Sequence, residues 1–303
     1  MFRPLSTYSI VAIDRVNGVM GVAVQSHWFS VGSIVAWAEP GVGVVATQSV
    51  VEVSYGPLGL ALMRGGMTAE KALKALLCID QFPEVRQVAM LDKNGIVAAH
   101  TGSKCIPEAG HIIGDGFSVQ ANLMRSSRVW VEMAEAFKNS KGPLHERLLT
   151  ALEAAEAAGG DIRGRQSACI LVVKTSSSGS IWGGKIVDLR VEDHPEPLKE
   201  LRRLVTLHEA YEHANRGDSL VAEGKIEEAL QEYKKASELA PDKIELKFWQ
   251  ALTMYLHDRR TEAEKIFKEV FSKSKDWKTV LRSLPRTGLF DIKEEDVEEI
   301  LKL

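Results

Sequence analysis

The chain has few cysteines and no long hydrophobic run. Its 303 residues include three cysteines without metal-binding spacing, so we expect reduced thiols and a cytoplasmic protein. No apolar run approaches the roughly 20 residues of a membrane span, and we expect no signal peptide. The net charge of −3 lacks the basic excess that binds nucleic acids or membrane surfaces. We therefore expect neither nucleic acid nor membrane as a partner.

Motifs for metals and nucleotides are also missing. There is no HExxH motif or paired Cys/His spacing, and the glycine-rich pieces lack the spacing of a phosphate loop or dinucleotide fingerprint. We expect no metal site and no cofactor. Cys78 and Cys169 lie in apolar runs typical of a core, whereas Cys105 lies in a turn-like segment. Cys105 is thus the one candidate for a reactive thiol.

The composition changes near residue 207. From residue 208 to the end, 38 of 96 residues are charged, against 41 of the first 207. Such a charge density is typical of small solvated helices rather than of a buried sheet. We predict two domains, spanning 1–205 and 206–303.

The first domain opens with a predicted hairpin over residues 7–26. Asn17 and Gly18 lie between two apolar runs, which is a strong short-range hairpin signal because both residues tolerate positive φ. The strand period of two places Tyr8 and Ser9 on opposite faces, and the residues that follow each of them are apolar on both faces. A hairpin without a polar face is expected to lie inside a layered protein, covered on both sides.

The rest of the first domain alternates strand-like and helix-like patterns. Strands are predicted at 7–14, 19–26, 34–38, 42–49, 86–92, 95–100, 117–122, 167–174 and 185–192, and helices at 56–64, 68–79, 127–139 and 143–158. Thr68 begins and Gly159 ends a helix in these patterns. Strands in hairpins on either side of a helix pair indicate an α+β fold with antiparallel sheets rather than a Rossmann order.

The second domain follows the 34-residue tetratricopeptide pattern. Small, aromatic and helix-ending residues of that pattern stand at Gly217, Gly224, Ala229, Tyr233, Ala236 and Pro241. A second copy over 244–277 has Asp258 where Gly224 stood. Such arrays normally need about three or more repeats to be stable by themselves, and only two are predicted here. We therefore expect an all-α domain that rests on the first domain or on a partner chain, the alternative being an ordinary helical extension.

Polar residues interrupt the apolar strands of the first domain near their ends. These clusters are Gln25–His27, Thr47–Ser49, His100–Thr101, Gln120–Asn122 and Arg165–Ser167. Buried polar side chains are costly unless they are paired with each other, with water or with a ligand. Turn and cap chemistry explains any one cluster, but several together predict a site. Ser26 and His27 are not expected to act as a dyad, because strand neighbours point to opposite faces.

Several separate motifs occur in an order that closely resembles one family. They are TYSIVA (7–12), GVAV (21–24), GVGVVATQ (41–48), YGP (55–57), AHTG (99–102), GRQS (164–167) and DLRVEDHP (188–195). Over roughly residues 5–205 the chain resembles the uncharacterised DUF1028 family. That resemblance implies the fold of N-terminal-nucleophile (Ntn) hydrolases, a four-layer αββα sandwich in which two antiparallel sheets lie between helices.

The same resemblance implies a chemistry, the hydrolysis of amide-type bonds in small or peptide-like substrates. Such enzymes use a hydroxyl or thiol residue that opens the first strand, with the freed α-amine as its base. Thr7 matches that position best and Ser6 second. The roles implied for other residues are orientation of the nucleophile by Ser26, Gln48 and Ser49, an oxyanion donor at Asn122, a substrate carboxylate bound by Arg165, and further substrate contacts from His100 and Ser167.

The sequence departs from that scheme in two respects, so alternatives stay open. Residues 1–6 precede Thr7, whose amine is an amide until they are removed, and the first lysine after Thr7 is Lys71. One alternative is a non-catalytic Ntn-like domain that binds a small ligand in the same cleft. The other is a scaffold, expected to be a homo-oligomer, in which residues 208–303 recruit a protein partner.

Overall fold

The computed structural model describes residues 7–177, 179 and 183–303. The predictions made for residues 1–6, including Ser6, lie outside the described residues. The chain divides into two compact units, Met1–Val205 and Thr206–Leu303. No helix in the described ranges is both long and apolar enough to cross a membrane.

Within its described residues, the first unit contains ten strands and four complete α-helices. The strands are β1 (Thr7–Asp14), β2 (Val19–Ser26), β3 (Ala36–Glu39), β4 (Gly43–Ser49), β5 (Arg86–Asp92), β6 (Val97–Thr101), β7 (Gly110–Gly114), β8 (Phe117–Asn122), β9 (Ser167–Lys174) and β10 (Lys185–Val191). The helices are α1 (Tyr55–Arg64), α2 (Ala69–Ile79), α3 (Arg128–Asn139) and α4 (Leu144–Ala157), and α5 (Pro197–Ala222) begins near the end of the unit.

The strands form two antiparallel sheets. The first has the order β10-β9-β2-β1-β8-β7, and the second has the order β3-β4-β5-β6. The predicted hairpin of β1 and β2 is confirmed, with Thr7 opposite Ser26 and Asp14 opposite Val19. Gly18 has φ +64° in its turn, the conformation for which the Asn-Gly pair was selected.

The layers bury three apolar clusters, which confirms the predicted αββα sandwich. Tyr8 and Leu148 belong to the cluster between the first sheet and helices α3 and α4. Val11 and Leu91 belong to the cluster between the two sheets. Val45 belongs to the cluster between the second sheet and helices α1 and α2. The first hairpin is therefore covered on both faces, as its lack of a polar face predicted.

The helix predictions are confirmed and one strand was missed. Thr68 accepts a hydrogen bond from the Lys71 backbone N–H at the start of α2, and α4 ends before Gly159, which has φ +119°. The missed strand is β7, which pairs only with β8 in its sheet. β7 is five residues long, begins and ends with glycine, and exposes Ile113, so it carries little of the alternation that marks a strand.

The second unit is all-helical. It contains α6 (Ile226–Leu239), α7 (Ile244–Leu256), α8 (Arg260–Lys273), α9 (Asp276–Ser283) and α10 (Glu294–Leu301). A Cβ on Gly217 would lie 2.7 Å from the Tyr233 ring, so the small residue allows the close helix approach that the repeat pattern predicts. Asp258, which replaces the glycine of the first copy, has φ +63°, and Gly224 has φ +75°. The turn conformation is thus kept without the glycine.

Candidate functional site

The space between the two sheets is divided into an apolar part and a polar part. In the polar part, nine buried or half-buried side chains point inward from the ends of six strands: Thr7, Ser9, Ser26, Gln48, Gln87, Thr101, Ser118, Gln120 and Asn122. Eight of the nine have no or nearly no exposed surface, Thr101 being half-buried. We call these nine residues the inter-sheet network. Each continues the inward-facing period of an otherwise apolar strand.

Thr7 lies at the centre of the residues that the first sheet contributes to the inter-sheet network. Its Oγ1 donates to the Ser26 Oγ at 3.2 Å. Its carbonyl oxygen accepts from the Gln48 Nε2 at 3.2 Å and from the Asn122 Nδ2 at 3.5 Å. Thr7 is thus held through its hydroxyl by a neighbouring strand and through its backbone by both sheets. This brings together the four residues that the sequence predicted as catalytic.

Gln87 joins the two sheets at the middle of the network. Its Oε1 accepts from Gln48 at 2.7 Å and from Asn122 at 3.0 Å, which fixes the orientation of its amide. Its Nε2 then faces the Thr101 Oγ1 at 2.9 Å and two backbone carbonyl oxygens. Thr101 in turn lies 2.8 Å from the His111 Nδ1. A continuous set of hydrogen bonds therefore runs from Thr7 to His111.

Ser9 and Gln120 close the other side of the network. Ser9 donates to the Gln48 Oε1 at 2.6 Å and accepts from the Gln120 Nε2 at 2.7 Å. Gln120 accepts from the Ser118 hydroxyl at 2.9 Å. Every member is a neutral hydroxyl or amide, so the network holds no carboxylate, imidazole or amine that could take a proton from Thr7 at neutral pH.

The strands that carry Gln48 and Asn122 both end in strained backbone. Ser49 has φ +73° and Leu123 has φ +55°, values in the left-handed region that non-glycine residues rarely adopt. Each costs of order 1–3 kcal/mol and persists because surrounding contacts hold it. The Leu123 N–H, for example, donates to the Ile106 carbonyl oxygen at 3.2 Å. Strain of this kind clusters at functional sites, and here it adjoins the two amides that hold Thr7.

The four residues predicted to bind substrate are dispersed. Ser49 is buried at the end of β4 beside the network. Ser167 is also buried, but its hydroxyl accepts from the Val31 N–H and donates to the Trp28 carbonyl oxygen, which fixes a loop. His100 points away from the network, with its Nε2 2.8 Å from the Pro83 carbonyl oxygen. That side faces α2, because the strand period places His100 opposite to Thr101.

Arg165 also lies outside the network, on the helix side of the first sheet. It pairs with Glu156 at 3.5 Å, and Glu156 accepts the Tyr8 hydroxyl at 2.7 Å. Gln25 points to the same side, where its buried amide makes no hydrogen bond to the described residues. The sequence could not separate these residues from Ser26 or Thr7, because a cluster of adjacent polar residues on a strand divides between two faces.

Three members of the network were not singled out from the sequence: Ser9, Gln87 and Ser118. Ser9 and Ser118 each stand alone between apolar neighbours, and Gln87 follows Arg86 at the start of its strand, so none was grouped with the strand-end clusters. The strand period of two could have identified them, because residues two apart on a strand face the same side. Ser9 is two residues from Thr7, and Gln87 is two residues from the inward-facing Ala89. A lone polar residue at an inward position of a buried strand is itself informative.

Two sizeable cavities lie near the network. One of about 640 Å³ opens between β6 and β7, and Thr101 and His111 contribute to its wall. A larger one of about 700 Å³ lies on the helix side of the second sheet. Its polar residues satisfy one another, since Arg86 pairs with Asp80 at 2.7 Å and the Tyr55 hydroxyl also donates to Asp80. The smaller cavity is the one connected to Thr7 by hydrogen bonds.

The structure confirms the predicted core position of Cys169 but not that of Cys78. Cys78 is exposed rather than part of the core, because it falls on the outer side of α2. Cys105 is buried, and burial raises the pKa of its thiol, an effect that a hydrogen bond with Ser49 only partly offsets. Burial raises the pKa of the Cys169 thiol to about 12. Burial and a raised pKa both disfavour the reactivity for which Cys105 was the candidate.

Comparison with known proteins places the chain in a family. Residues 7–201 match the family described as "Family of unknown function (DUF1028)", and residues 217–257 match a TPR repeat. The crystal structure of protein SPO2555 from Silicibacter pomeroyi, also assigned to DUF1028, shares 31% sequence identity with the chain. The match covers 66% of this chain and 84% of that chain with a TM-score of 0.59. No curated protein matches the chain. The chain therefore belongs to the DUF1028 family and carries a TPR-like helical extension.

Proposed function

We propose that the first unit hydrolyses amide-type bonds in small or peptide-like substrates, with Thr7 as the nucleophile after residues 1–6 are removed. The observation that carries the proposal is the arrangement around Thr7. Its hydroxyl is 3.2 Å from the Ser26 hydroxyl, and amides from both sheets hold its carbonyl. A threonine at the start of a central strand, with its hydroxyl held by one side chain and its carbonyl by two, is suited to nucleophilic attack.

The neutrality of the network supports the α-amine as the base. With no ionisable side chain among its nine members, the proton of the Thr7 hydroxyl needs an acceptor from elsewhere. A freed α-amine, with an ordinary pKa of about 7.7–8.0, is adjacent to the hydroxyl, and its neutral fraction of about 10–20% at pH 7 can accept a proton. Removal of residues 1–6 is therefore a requirement of the mechanism.

The reaction would proceed through an ester on Thr7. The Thr7 Oγ1 bonds to the substrate carbonyl carbon while its proton passes to the α-amine. The C–N bond then breaks, and that proton leaves with the substrate nitrogen as an amine. Water attacks the ester, its proton returns to Oγ1 through the α-amine, and a carboxylic acid is released. We assign alignment of Oγ1 to Ser26 and stabilisation of the oxyanion to the Asn122 amide.

The test is an intact-protein mass spectrum before and after incubation with a small β-lactone, which acylates a nucleophilic hydroxyl without releasing a leaving group. We expect a mass short by residues 1–6 and an addition of one lactone at Thr7. Thr7→Ala should retain the full length and stay unlabelled. Thr150→Ala is the matched control and should behave like the wild type, because the Thr150 hydroxyl donates to the Glu146 carbonyl oxygen within its own helix.

A full-length mass with no lactone adduct would overturn the proposal. That result would favour the second candidate, a non-catalytic domain that binds a small ligand. The specific observation in its favour is that Thr7 has no exposed surface. The mass spectrum separates the two, because a binding domain needs neither the free amine nor a reactive Thr7 hydroxyl.

A further inference from the structure

The cavity between β6 and β7 has a built wall on each side. The loop 102–109 forms one wall and α3 contributes Trp130 to the other. A Cβ on Gly110 would lie 2.8 Å from the indole ring of Trp130, so the ring packs directly on the backbone of β7. Thr101 of β6 and His111 of β7 also line the cavity, and Thr101 belongs to the inter-sheet network.

The charge that lines the cavity is negative. Of the described residues that line it, Glu108 alone carries a formal charge at neutral pH, since burial and the neighbouring His100 lower the pKa of His111. Glu108 is exposed and makes no ion pair with any described residue. Glu108 and Trp130 line the same cavity. A carboxylate and an indole ring in one cavity are suited to recognise an ammonium group, through an ion pair and a cation–π contact.

The backbone at Glu108 is held in an unfavourable conformation. Its φ of +26° lies in the region that non-glycine residues rarely adopt. The Met124 N–H donates to the Glu108 carbonyl oxygen at 3.2 Å and secures the loop to the end of β8. The same strand end carries Asn122, which bonds the Thr7 carbonyl. The loop that places the carboxylate is therefore tied to the strand that holds the proposed nucleophile.

The cavity is also linked to Thr7 through side chains. Gln87 donates to the Thr101 hydroxyl, and the Thr101 Oγ1 lies 2.8 Å from the His111 Nδ1. Gln87 at the same time accepts from Gln48 and Asn122, the two amides that hold Thr7. A ligand that bonds His111 thus contacts the outer end of the hydrogen-bond set that begins at Thr7.

We propose that this cavity admits the substrate of the Thr7 centre and selects amides that carry an ammonium group, with Glu108 and Trp130 as the groups that recognise the ammonium. The proposal rests on the proposed function for its link to Thr7 and deepens it by naming the substrate class. Recognition of the ammonium itself does not require Thr7 to react.

The first experiment measures binding to the full-length Thr7→Ala chain by calorimetric titration. The probes are N-acetyl-lysinamide and N-acetyl-norleucinamide, which differ by the terminal ammonium. We expect about tenfold tighter binding of the lysine compound, a preference that Glu108→Gln abolishes. Asp115→Asn is the matched control, because Asp115 is 90% exposed at the far end of β7, and it should keep the preference. Equal affinities, or a preference unchanged in Glu108→Gln, would overturn the proposal.

The second experiment tests the link to Thr7 in the wild-type chain. N-acetyl-lysinamide should slow β-lactone labelling of Thr7, whereas N-acetyl-norleucinamide at the same concentration should not. Labelling at an unchanged rate would show that a ligand in the cavity does not reach the Thr7 centre, and it would leave the proposed function intact. An absence of any labelling, together with a retained ammonium preference in the titration, would instead overturn the proposed function and the link, and leave the recognition by Glu108 standing.

Discussion

Replacement of Gln87 by leucine should destabilise the first unit, because the Gln87 side chain joins the two sheets within the inter-sheet network. Gln87→Leu keeps the approximate volume but removes an acceptor for the Gln48 and Asn122 amides at 2.7 and 3.0 Å. It also removes the donor to Thr101 and to two backbone carbonyl oxygens. All this happens at a position with no exposed surface.

The expected cost is about 4 kcal/mol in the free energy of unfolding of the first unit. A buried donor left without its partner costs about 1–3 kcal/mol, and two amides lose their best acceptor. The Gln48 and Asn122 amides keep their longer hydrogen bonds to the Thr7 carbonyl oxygen, which limits the loss of free energy. The favourable burial of the leucine side chain limits it further. The three acceptors that lose a donor add a smaller amount, because a carbonyl or hydroxyl oxygen tolerates an unused lone pair better than a buried N–H does.

Amide hydrogen exchange is the suitable assay, because a chain with two units need not unfold in one transition. With exchange limited by the opening equilibrium, a loss of about 4 kcal/mol accelerates exchange about 10³-fold in peptides from β5 and β8. Gln166→Leu is the matched control, since Gln166 donates to Asp193 at the surface and should change exchange less than about threefold. An acceleration below about tenfold for Gln87→Leu would refute the view that the network holds the sheets together.

Two further predictions concern titratable groups. Iodoacetamide at pH 8 should add once to the native chain, at Cys78, because the other two thiols are buried and their pKa values are raised; a second adduct under native conditions would contradict this. Burial by itself would raise the pKa of Asp80, but hydrogen bonds, with Arg86 the strongest donor, lower it below the ordinary value. A lowered folded pKa means that the stabilisation is present above the unfolded pKa of about 3.9 and is lost as the pH falls through the folded pKa. Asp80→Asn should therefore reduce stability at pH 7 and flatten the acid limb of a plot of Tm against pH, whereas an acid limb as steep as that of the wild type would contradict the assignment.

The local elements of this protein follow from short-range patterns. The Asn17-Gly18 turn, the threonine cap of α2 and the glycine end of α4 are each decided by a few adjacent residues, so the sequence predicted them without knowledge of the fold. The missed strand β7 shows the limit of such patterns. Its three central residues lie between glycines, and it is a strand because β8 offers it a pairing edge.

The candidate site was also predictable in part from the sequence and in part only from the tertiary structure. The sequence indicated that strand ends carry polar residues and that Thr7, Ser26, Gln48 and Asn122 belong together. It could not show that Gln87 connects them, because Gln87 lies on β5 of the second sheet and Asn122 on β8 of the first, and these two strands meet only when the sheets stack. Nor could it separate His100 from Thr101, which are neighbours in the chain but face opposite sides of the second sheet.

What the sequence by itself determined is therefore the class of each segment: apolar hairpins without a solvent face, capped helices, a charged helical repeat, and hydroxyl or amide residues at the ends of buried strands. These properties depend on backbone preference and on the burial of side chains, which act within a few residues. The tertiary structure alone decided which polar side chains share one enclosed space, which of them orient Thr7, and which cavity reaches them. Those relations depend on contacts between residues that are distant in the chain, and such contacts exist only after the two sheets have packed face to face.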